Sequence, residues 1–127
     1  TIDFGEGMKN VYQRSRDTQI LALDGEDVML AANTFESGRG VYLTGLPYNP
    51  ENARLLERAI YWVASKESLL ETWHTTNVET ECAAFPAAGK LVVINNSYDE
   101  QTTTIIKADG STEEVTLTGM GYTWLTI

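Results

Sequence analysis

The clearest structural signals in the first half of this chain lie in residues 38–65, GRGVYLTGLPYNPENARLLERAIYWVAS. This segment opens with a β-rich run bounded by glycines, Gly40–Leu46, which is typical of a largely buried strand. The segment Pro47–Pro50 then excludes a longer strand and an earlier helix, because each proline lacks an amide hydrogen and restricts the residue before it. The pattern predicts a strand near 40–46, a tight loop and a helix.

The start of that helix is marked by Asn49, whose side-chain oxygen can accept an amide hydrogen of the first turn. Pro50 suits the first helical position, where its missing amide hydrogen costs nothing, and Glu51 favours the positive helix end. Apolar residues then make a wide face: Leu55, Leu56, Ala59, Ile60, Trp62 and Val63. We predict a helix over 50–65 and hence a βα unit.

Two further strands are predicted before this unit, near 18–23 and 28–33, joined by a turn at Asp24-Gly25. Residues 1–17 are predicted to be an extended lead-in, in which Met8, Val11 and Tyr12 could form a short helical turn against a core. Residues 1–66 therefore resemble the tail end of an α/β domain whose first half is missing. Such a layer has an open sheet edge and an uncovered helix face.

The hydrophobic pattern of the sequence changes after residue 66, and no helical periodicity occurs from Val78 onward. Five short strands are predicted at 78–85, 90–95, 102–107, 113–117 and 122–127, separated by turn residues. This spacing is typical of a small antiparallel sandwich or barrel. We therefore predict an α+β chain, with a βββα part over 1–66 and an all-β domain over 67–127.

Composition excludes several classes of function. The 127 residues carry a formal net charge of −9, which argues against nucleic-acid and anionic-membrane partners because both need clustered Lys and Arg. The acidic residues are scattered, which favours a solubility surface over a calcium or other metal site. No apolar run reaches the ~20 residues that a membrane span needs.

The single cysteine, Cys82, excludes an internal disulfide and gives no sign of an oxidising compartment. The chain opens at Thr1 without an initiator methionine or a signal peptide, so we expect a piece of a longer cytoplasmic protein.

Candidate catalytic groups are few. Cys82 and His74 could form a nucleophilic pair, but Cys82 lies in a predicted strand where a small buried residue is expected, so packing is favoured for both. The pairs Gly5-x-Gly7 and Gly38-x-Gly40 do not open a helix after a strand and are not taken as dinucleotide sites. Phosphate binding at the helix start near Asn49 is not favoured, since Pro50 removes a donor.

Two surface features leave alternatives open. Asn95-Asn96-Ser97 matches a glycosylation sequon, which a cytosolic protein would not use. Four aromatic residues could line a sugar groove on the β domain or pack in its core: Trp73, Tyr98, Tyr122 and Trp124. Core packing is favoured, because the spacing Tyr122-x-Trp124 also fits a buried face.

The order of an α/β tail, a hinge and a β module resembles galactoside-processing enzymes that have a barrel, a flavodoxin-like middle domain and a β domain. More closely, the chain is similar to the lacto-N-biose/galacto-N-biose phosphorylase family (1,3-β-galactosyl-N-acetylhexosamine phosphorylases). The segments that carry this resemblance are Asp3–Met8, Ala31–Asn33, Gly38–Tyr48, Asn52–Trp62, Ala83–Pro86, Gly89–Ser97 and Gly119–Gly121.

The resemblance implies phosphorolysis of Gal-β-1,3-HexNAc with inversion, giving α-galactose 1-phosphate and the free hexosamine, with inorganic phosphate as co-substrate and no cofactor. It also implies that the catalytic acid lies on an N-terminal barrel outside this chain. We therefore assign no catalytic, cofactor-binding or metal-binding residue, and expect the chain to be inactive alone.

The expected partners are the N-terminal barrel, the rest of the middle domain and other subunits of a homo-oligomer, without nucleic acid or membrane. Two alternatives stay open: a free-standing carbohydrate-binding β module and the C-terminal part of a related galactosidase. The first predicts solvent-facing aromatic residues on 78–127, whereas the phosphorylase interpretation predicts buried ones.

Overall fold

The computed structural model describes all 127 residues, which form two compact units, Thr1–Glu67 and Ser68–Ile127. Three three-stranded antiparallel sheets and one α-helix make up the regular structure. The α+β class expected from the sequence is therefore confirmed. The structure contains no helix that could span a membrane.

The first unit is one sheet and one helix. Strands β1 (Gln19–Asp24), β2 (Asp27–Phe35) and β3 (Gly38–Leu43) pair in the order β1-β2-β3. Helix α1 spans Pro50–Val63. Because β2 is central, it supplies the buried apolar residues of this unit: Val28, Met29, Ala31 and Ala32. The edge strand β1 is irregular, with register shifts on both sides of Ala22.

Strand β3 ends at Leu43, three residues before the predicted end at Leu46. Residues of the lead-in contact the segment just after β3: the Met8 amide donates to Thr44 Oγ1, and a side chain at Gly45 would lie 2.7 Å from the Phe4 carbonyl. The Thr44 amide still donates to the Met29 carbonyl of β2 at 3.0 Å, so contacts with the lead-in replace pairing with β2 only after Thr44.

The lead-in itself contains no helix, so the helical turn suggested for Met8, Val11 and Tyr12 was wrong. The Val11 carbonyl instead accepts from the Val28 amide at 3.0 Å, and Met8 and Tyr12 are exposed. An extended segment that hydrogen-bonds to β2 satisfies its backbone without forming a helical turn.

Helix α1 ends at Val63 rather than at Ser65. Ser65 adopts a left-handed conformation with φ 56°, its amide donates to the Trp62 carbonyl at 3.0 Å, and the Lys66 amide donates to the Tyr61 carbonyl at 2.8 Å. These two bonds form a Schellman motif, in which the left-handed residue is usually glycine. Because serine stands at this position, the sequence lacks the glycine that usually marks the end of a helix.

The second unit is a β-sandwich. A 3-10 turn at Glu67–Glu71 leads to the sheet β4-β7-β8, which comprises β4 (His74–Thr75), β7 (Gln101–Ile106) and β8 (Thr112–Leu117). The other sheet, β5-β6-β9, comprises β5 (Thr80–Phe85), β6 (Lys90–Asn95) and β9 (Tyr122–Thr126).

Residues from both sheets form the sandwich core: Leu91, Val93, Ile105 and Leu117. The two-residue strand β4 was not predicted, because His74–Thr75 is too short to show a periodicity.

Candidate functional site

The two faces of the β5-β6-β9 sheet differ in chemistry. Antiparallel pairing sets Phe85 opposite Lys90, Val92 opposite Trp124, and Ile94 opposite Tyr122. Because side chains alternate along a strand and directly opposed residues share a face, these residues lie on one side. Leu91 and Val93 lie on the other side, in the sandwich core. The first side is the outer face.

Three aromatic residues dominate this outer face, and we name Phe85, Tyr122 and Trp124 the aromatic platform. The rings of Phe85 and Trp124 pack at a centroid distance of 5.9 Å and an interplanar angle of 44°. Phe85 is 48% exposed, Trp124 53% and Tyr122 68%. The prediction that Tyr122 and Trp124 pack in the core was therefore wrong.

The reason lies in the register of the sheet. Leu125 and Ile127 pack against the core, so the alternating residues Tyr122 and Trp124 must face outward. Phe85, which the sequence analysis did not single out, occupies an outward position of β5 for the same reason. Phe85 follows Glu81 and Ala83 at alternate positions of β5, and all three are exposed. The charged Glu81 was the signal in the sequence that this face of the strand points outward.

Polar groups border the platform. The outer face also carries Glu81, Lys90 and Thr126, and all three are exposed. Beneath the rings, Val92 is only 9% exposed, so the aliphatic centre of the face is already covered. The surface therefore offers aromatic rings flanked by hydrogen-bonding groups, without an open apolar cavity.

The other aromatic candidates lie elsewhere. Tyr98, in the loop between β6 and β7, is 90% exposed, and thus also lies outside the core. Trp73 is half-buried and packs against the sandwich core. Neither residue lies on the strands of the platform.

Cys82 is a packing residue of β5. Its side chain contacts the sandwich core, and its thiol donates to the Trp73 carbonyl at 3.0 Å. His74, in β4, pairs with Ile106 in β7, and the His74 Nδ1 is buried without a hydrogen-bond partner. A thiol bound to a backbone carbonyl is placed as a structural side chain and not as a nucleophile.

At the start of helix α1, polar groups are used in hydrogen bonds within the chain. Asn49 Oδ1 accepts from the Asn52 amide at 2.8 Å. Asn52 is 1% exposed; its Nδ2 donates to the carbonyls of Asp3 and Pro47, both at 2.7 Å, and its Oδ1 accepts from the Asp3 amide. Asn52 therefore holds the lead-in and the loop before the helix together.

The glycine pairs are also structural. Gly7 has φ 56°, and a side chain there would lie 2.8 Å from Met29 Cε, so this glycine permits the lead-in to lie close to β2. Gly38 and Gly40 are part of strand β3. Neither pair opens a helix that could receive a phosphate.

The sequon asparagine, Asn95, is 1% exposed. Its Nδ2 lies within hydrogen-bond distance of the carbonyls of Asp99, Leu117 and Thr118, and its Oδ1 accepts from the Ser97 amide at 2.9 Å. A glycan cannot be attached to a side chain held in this way, so Asn95 organises the turns of the second unit.

A shallow depression of about 270 Å³ opens on the sheet of the first unit and is lined by Thr18, Ala31, Ala32, Asn33, Gly40, Val41 and Tyr42. Asn33 Oδ1 and Tyr42 Oη are buried without a hydrogen-bond partner. Pairing of Ala31 with Tyr42 and of Asn33 with Gly40 places these side chains on one face. The depression thus has an apolar floor, and the two buried oxygens belong to residues that line it.

Comparison with known proteins gives two family matches in chain order. Residues 1–68 match the family described as the lacto-N-biose phosphorylase central domain. Residues 73–125 match the one described as the lacto-N-biose phosphorylase C-terminal domain.

Curated relatives match along the same length. A 1,3-beta-galactosyl-N-acetylhexosamine phosphorylase of Bifidobacterium longum is 44% identical over 97% of this chain and 16% of the relative. One from Lachnoclostridium phytofermentans is 41% identical over 99% of the chain and 17% of the relative. A D-galactosyl-beta-1->4-L-rhamnose phosphorylase of the latter organism is 32% identical over 84% of the chain. The chain thus spans about a sixth of the length of the relatives it matches.

Proposed function

The chain belongs to the lacto-N-biose phosphorylase family, and from this premise we propose that it is the non-catalytic C-terminal part of an inverting galactoside phosphorylase. The parent enzyme cleaves Gal-β-1,3-HexNAc with inorganic phosphate, giving α-galactose 1-phosphate and the free hexosamine. The observation that carries this proposal is the identity of 40–44% with three such phosphorylases along 97–99% of the chain.

The placement of the candidate residues supports a non-catalytic role. Inverting cleavage of a glycosidic bond needs a carboxylic acid positioned at the leaving oxygen, and here phosphate replaces the activated water. The buried side chains Asn52 and Asn95 hold loops together, and the Cys82 thiol bonds to a backbone carbonyl. We assign no catalytic residue to this chain and expect it to be inactive alone, without a cofactor.

The proposed partners are the rest of the middle domain and the N-terminal barrel of the parent chain. Helix α1 leaves Leu56, Ile60 and Val63 exposed, although a globular protein normally covers the apolar face of a helix. This exposed apolar face supports further layers on the first unit.

In the same proposal, the βββα unit is the end of a flavodoxin-like α/β domain, because a layer with uncovered faces needs additional strands and helices. Exposed apolar residues such as Phe35 support subunit contacts in a homo-oligomer. A cytoplasmic location is part of the same proposal, since a chain with a single cysteine gives no sign of the disulfides of an oxidising compartment.

The test compares three preparations in a galactose 1-phosphate release assay with Gal-β-1,3-GlcNAc and phosphate: the parent polypeptide, this chain and a mixture without enzyme. Only the parent should release the sugar phosphate. Release by this chain would contradict the non-catalytic role. Release of free galactose without phosphate would identify the parent as a galactosidase, and preference for galactosyl-β-1,4-rhamnose would change the proposed acceptor.

A free-standing carbohydrate-binding module is the second candidate function. The exposed platform of Phe85, Tyr122 and Trp124 favours it, since exposed rings were its distinguishing prediction. It does not account for the match of residues 1–68 to the central domain of a phosphorylase family. We therefore retain the phosphorylase and consider sugar binding by the platform within it.

A further inference from the structure

We propose that the aromatic platform, Phe85, Tyr122 and Trp124, binds the galactosyl end of a β-galactoside. The choice of sugar rests on the proposed function. The surface itself consists only of residues of this chain, on the outer face of the β5-β6-β9 sheet.

Two of the three rings, those of Phe85 and Trp124, support each other before any ligand arrives. Trp124 and Phe85 pack against each other at 5.9 Å, yet about half of each side chain stays exposed. Tyr122 lies two residues from Trp124 on the same strand, which places the two residues about 7 Å apart along one face. Rings that are fixed in advance lose little conformational entropy when a ligand binds.

A β-galactoside fits this surface chemically. The axial hydroxyl at C4 points to one side of the galactose ring, so the C–H groups at C3, C4 and C5 form an apolar patch on the other side. The face of an aromatic ring is electron-rich and attracts such weakly positive C–H groups. The hydroxyls of a sugar stacked on Trp124 would point outward, toward the groups that border the platform.

The groups at the border can both donate hydrogen bonds to the sugar hydroxyls and accept hydrogen bonds from them. The Glu81 carboxylate is an acceptor, the Lys90 ammonium is a donor, and the hydroxyls of Tyr122 and Thr126 are both. Glu81 and Lys90 come from different strands and different rows of the outer face. The platform is therefore bordered by donors and acceptors, as a polyol requires.

A neutral sugar also suits the charge of the chain better than an anion. The formal net charge of −9 disfavours binding of phosphate or of galactose 1-phosphate. A protein partner is an alternative that the test below separates, because an aromatic centre with a polar border also occurs at protein interfaces.

The test is an NMR titration of the 127-residue chain with Gal-β-1,3-GlcNAc, followed by the amides of β5, β6 and β9 and the indole N–H of Trp124. We expect saturable shifts at millimolar sugar. Trp124→Ala and Tyr122→Ala should each weaken binding at least fivefold. The matched control is Tyr98→Ala, an exposed aromatic residue outside the platform, which should change the affinity less than twofold.

Two ligand controls define the chemistry. The 4-epimer, Glc-β-1,3-GlcNAc, should bind at least threefold more weakly, because its equatorial C4 hydroxyl breaks up the C–H patch. Inorganic phosphate alone should not shift the platform amides. Absence of saturable shifts, or equal binding by the Trp124→Ala and Tyr122→Ala chains, would overturn the proposal. Shifts that follow protein concentration without sugar would also overturn it, since they identify the surface as a contact between copies.

The outcome is separable from that of the proposed function. If the parent releases galactose 1-phosphate while the platform does not respond to sugar, only the platform inference fails. If the platform binds the disaccharide but the parent releases no galactose 1-phosphate, the proposed function fails and the binding surface stands.

Discussion

The two units of this chain are of similar size but differ in how their apolar residues are used. In the second unit, Leu91, Val93 and Ile105 are fully buried between two sheets. In the first unit, the buried apolar residues come from β2 alone, while Leu21, Leu23, Leu56 and Ile60 are exposed. One sheet and one helix enclose only one side of each other, whereas two sheets enclose a core.

This difference bears on how each unit is stabilised. A unit with a closed core gains its hydrophobic stabilisation from its own residues. A unit that leaves apolar residues exposed on both its helix and its edge strand gains more when other residues cover them. We therefore expect further residues to cover the βββα unit, whereas the sandwich already encloses a core of its own.

The largest expected effect compares two isoleucines. Ile105→Ala, at a residue that is 0% exposed, should lower the free energy of unfolding of the second unit by about 2–5 kcal/mol. Ile60→Ala, at a residue that is 58% exposed, should change that of the first unit by less than about 0.5 kcal/mol. Urea unfolding, followed separately by amide resonances of each unit, measures both. Equal losses would show that the two units do not differ in closure.

The next effect concerns the buried asparagine of the sandwich. Asn95→Ala removes the donors to the carbonyls of Asp99 and Thr118 and the acceptor for the Ser97 amide. We expect a loss of about 2–3 kcal/mol, because buried polar groups are left unpaired. The same unfolding experiment measures it. The neighbouring exposed residue provides the control, and Asn96→Ala should be nearly neutral.

A smaller effect is expected at the helix start in the first unit. Asn49→Ala removes the acceptor for the Asn52 amide and should cost about 1 kcal/mol. Faster hydrogen exchange of the first-turn amides of α1 is the measurement. Asn49→Ser keeps a capping oxygen and should behave like the unaltered chain. If exchange in the second unit rose equally, the two units would not be energetically independent.

The smallest effect is electrostatic. A hydrogen bond from Arg39, at 2.7 Å, lowers the pKa of Glu67 from its ordinary value of 4.5. A carboxyl with a lowered folded-state pKa contributes stability above its ordinary pKa, and this contribution is lost as the pH falls through the folded-state value.

Glu67→Gln should therefore destabilise the first unit slightly at pH 7, but not at a pH low enough to protonate the Glu67 carboxyl. Added salt should reduce the destabilisation at pH 7. Thermal unfolding as a function of pH measures this dependence. Glu26→Gln, in the turn between β1 and β2, serves as the control. A difference from the unaltered chain that persists in acid would mean that the side chain acts through packing.

The sequence carried the local signals of the fold but not the relations between distant segments. Asn49 and Pro50 indicate where α1 begins, because the capping chemistry is local. Its end was hidden by Ser65, which takes the left-handed position usually held by glycine. The contact of Met8 with Thr44, just after β3, joins residues that are 36 positions apart, and no local pattern reports such a contact.

The candidate site was harder to predict for a related reason. The alternation in β9 shows that Tyr122 and Trp124 share a face, but not whether that face is the inner one. Leu125 and Ile127 settle the choice only once the sandwich is formed. Phe85 joins Trp124 through the pairing of β5 and β9 with β6, and that partnership is visible only in three dimensions.

The irregular pairing of β1 bears on how the chain behaves in concentrated solution. A regular edge strand with exposed Leu21 and Leu23 would be a template for strand addition by another molecule, and hence for fibril growth. The register shifts beside Ala22 interrupt the straight row of backbone donors and acceptors that such addition needs. We therefore expect this edge to resist β-type aggregation even though the side chains of Leu21 and Leu23 are exposed.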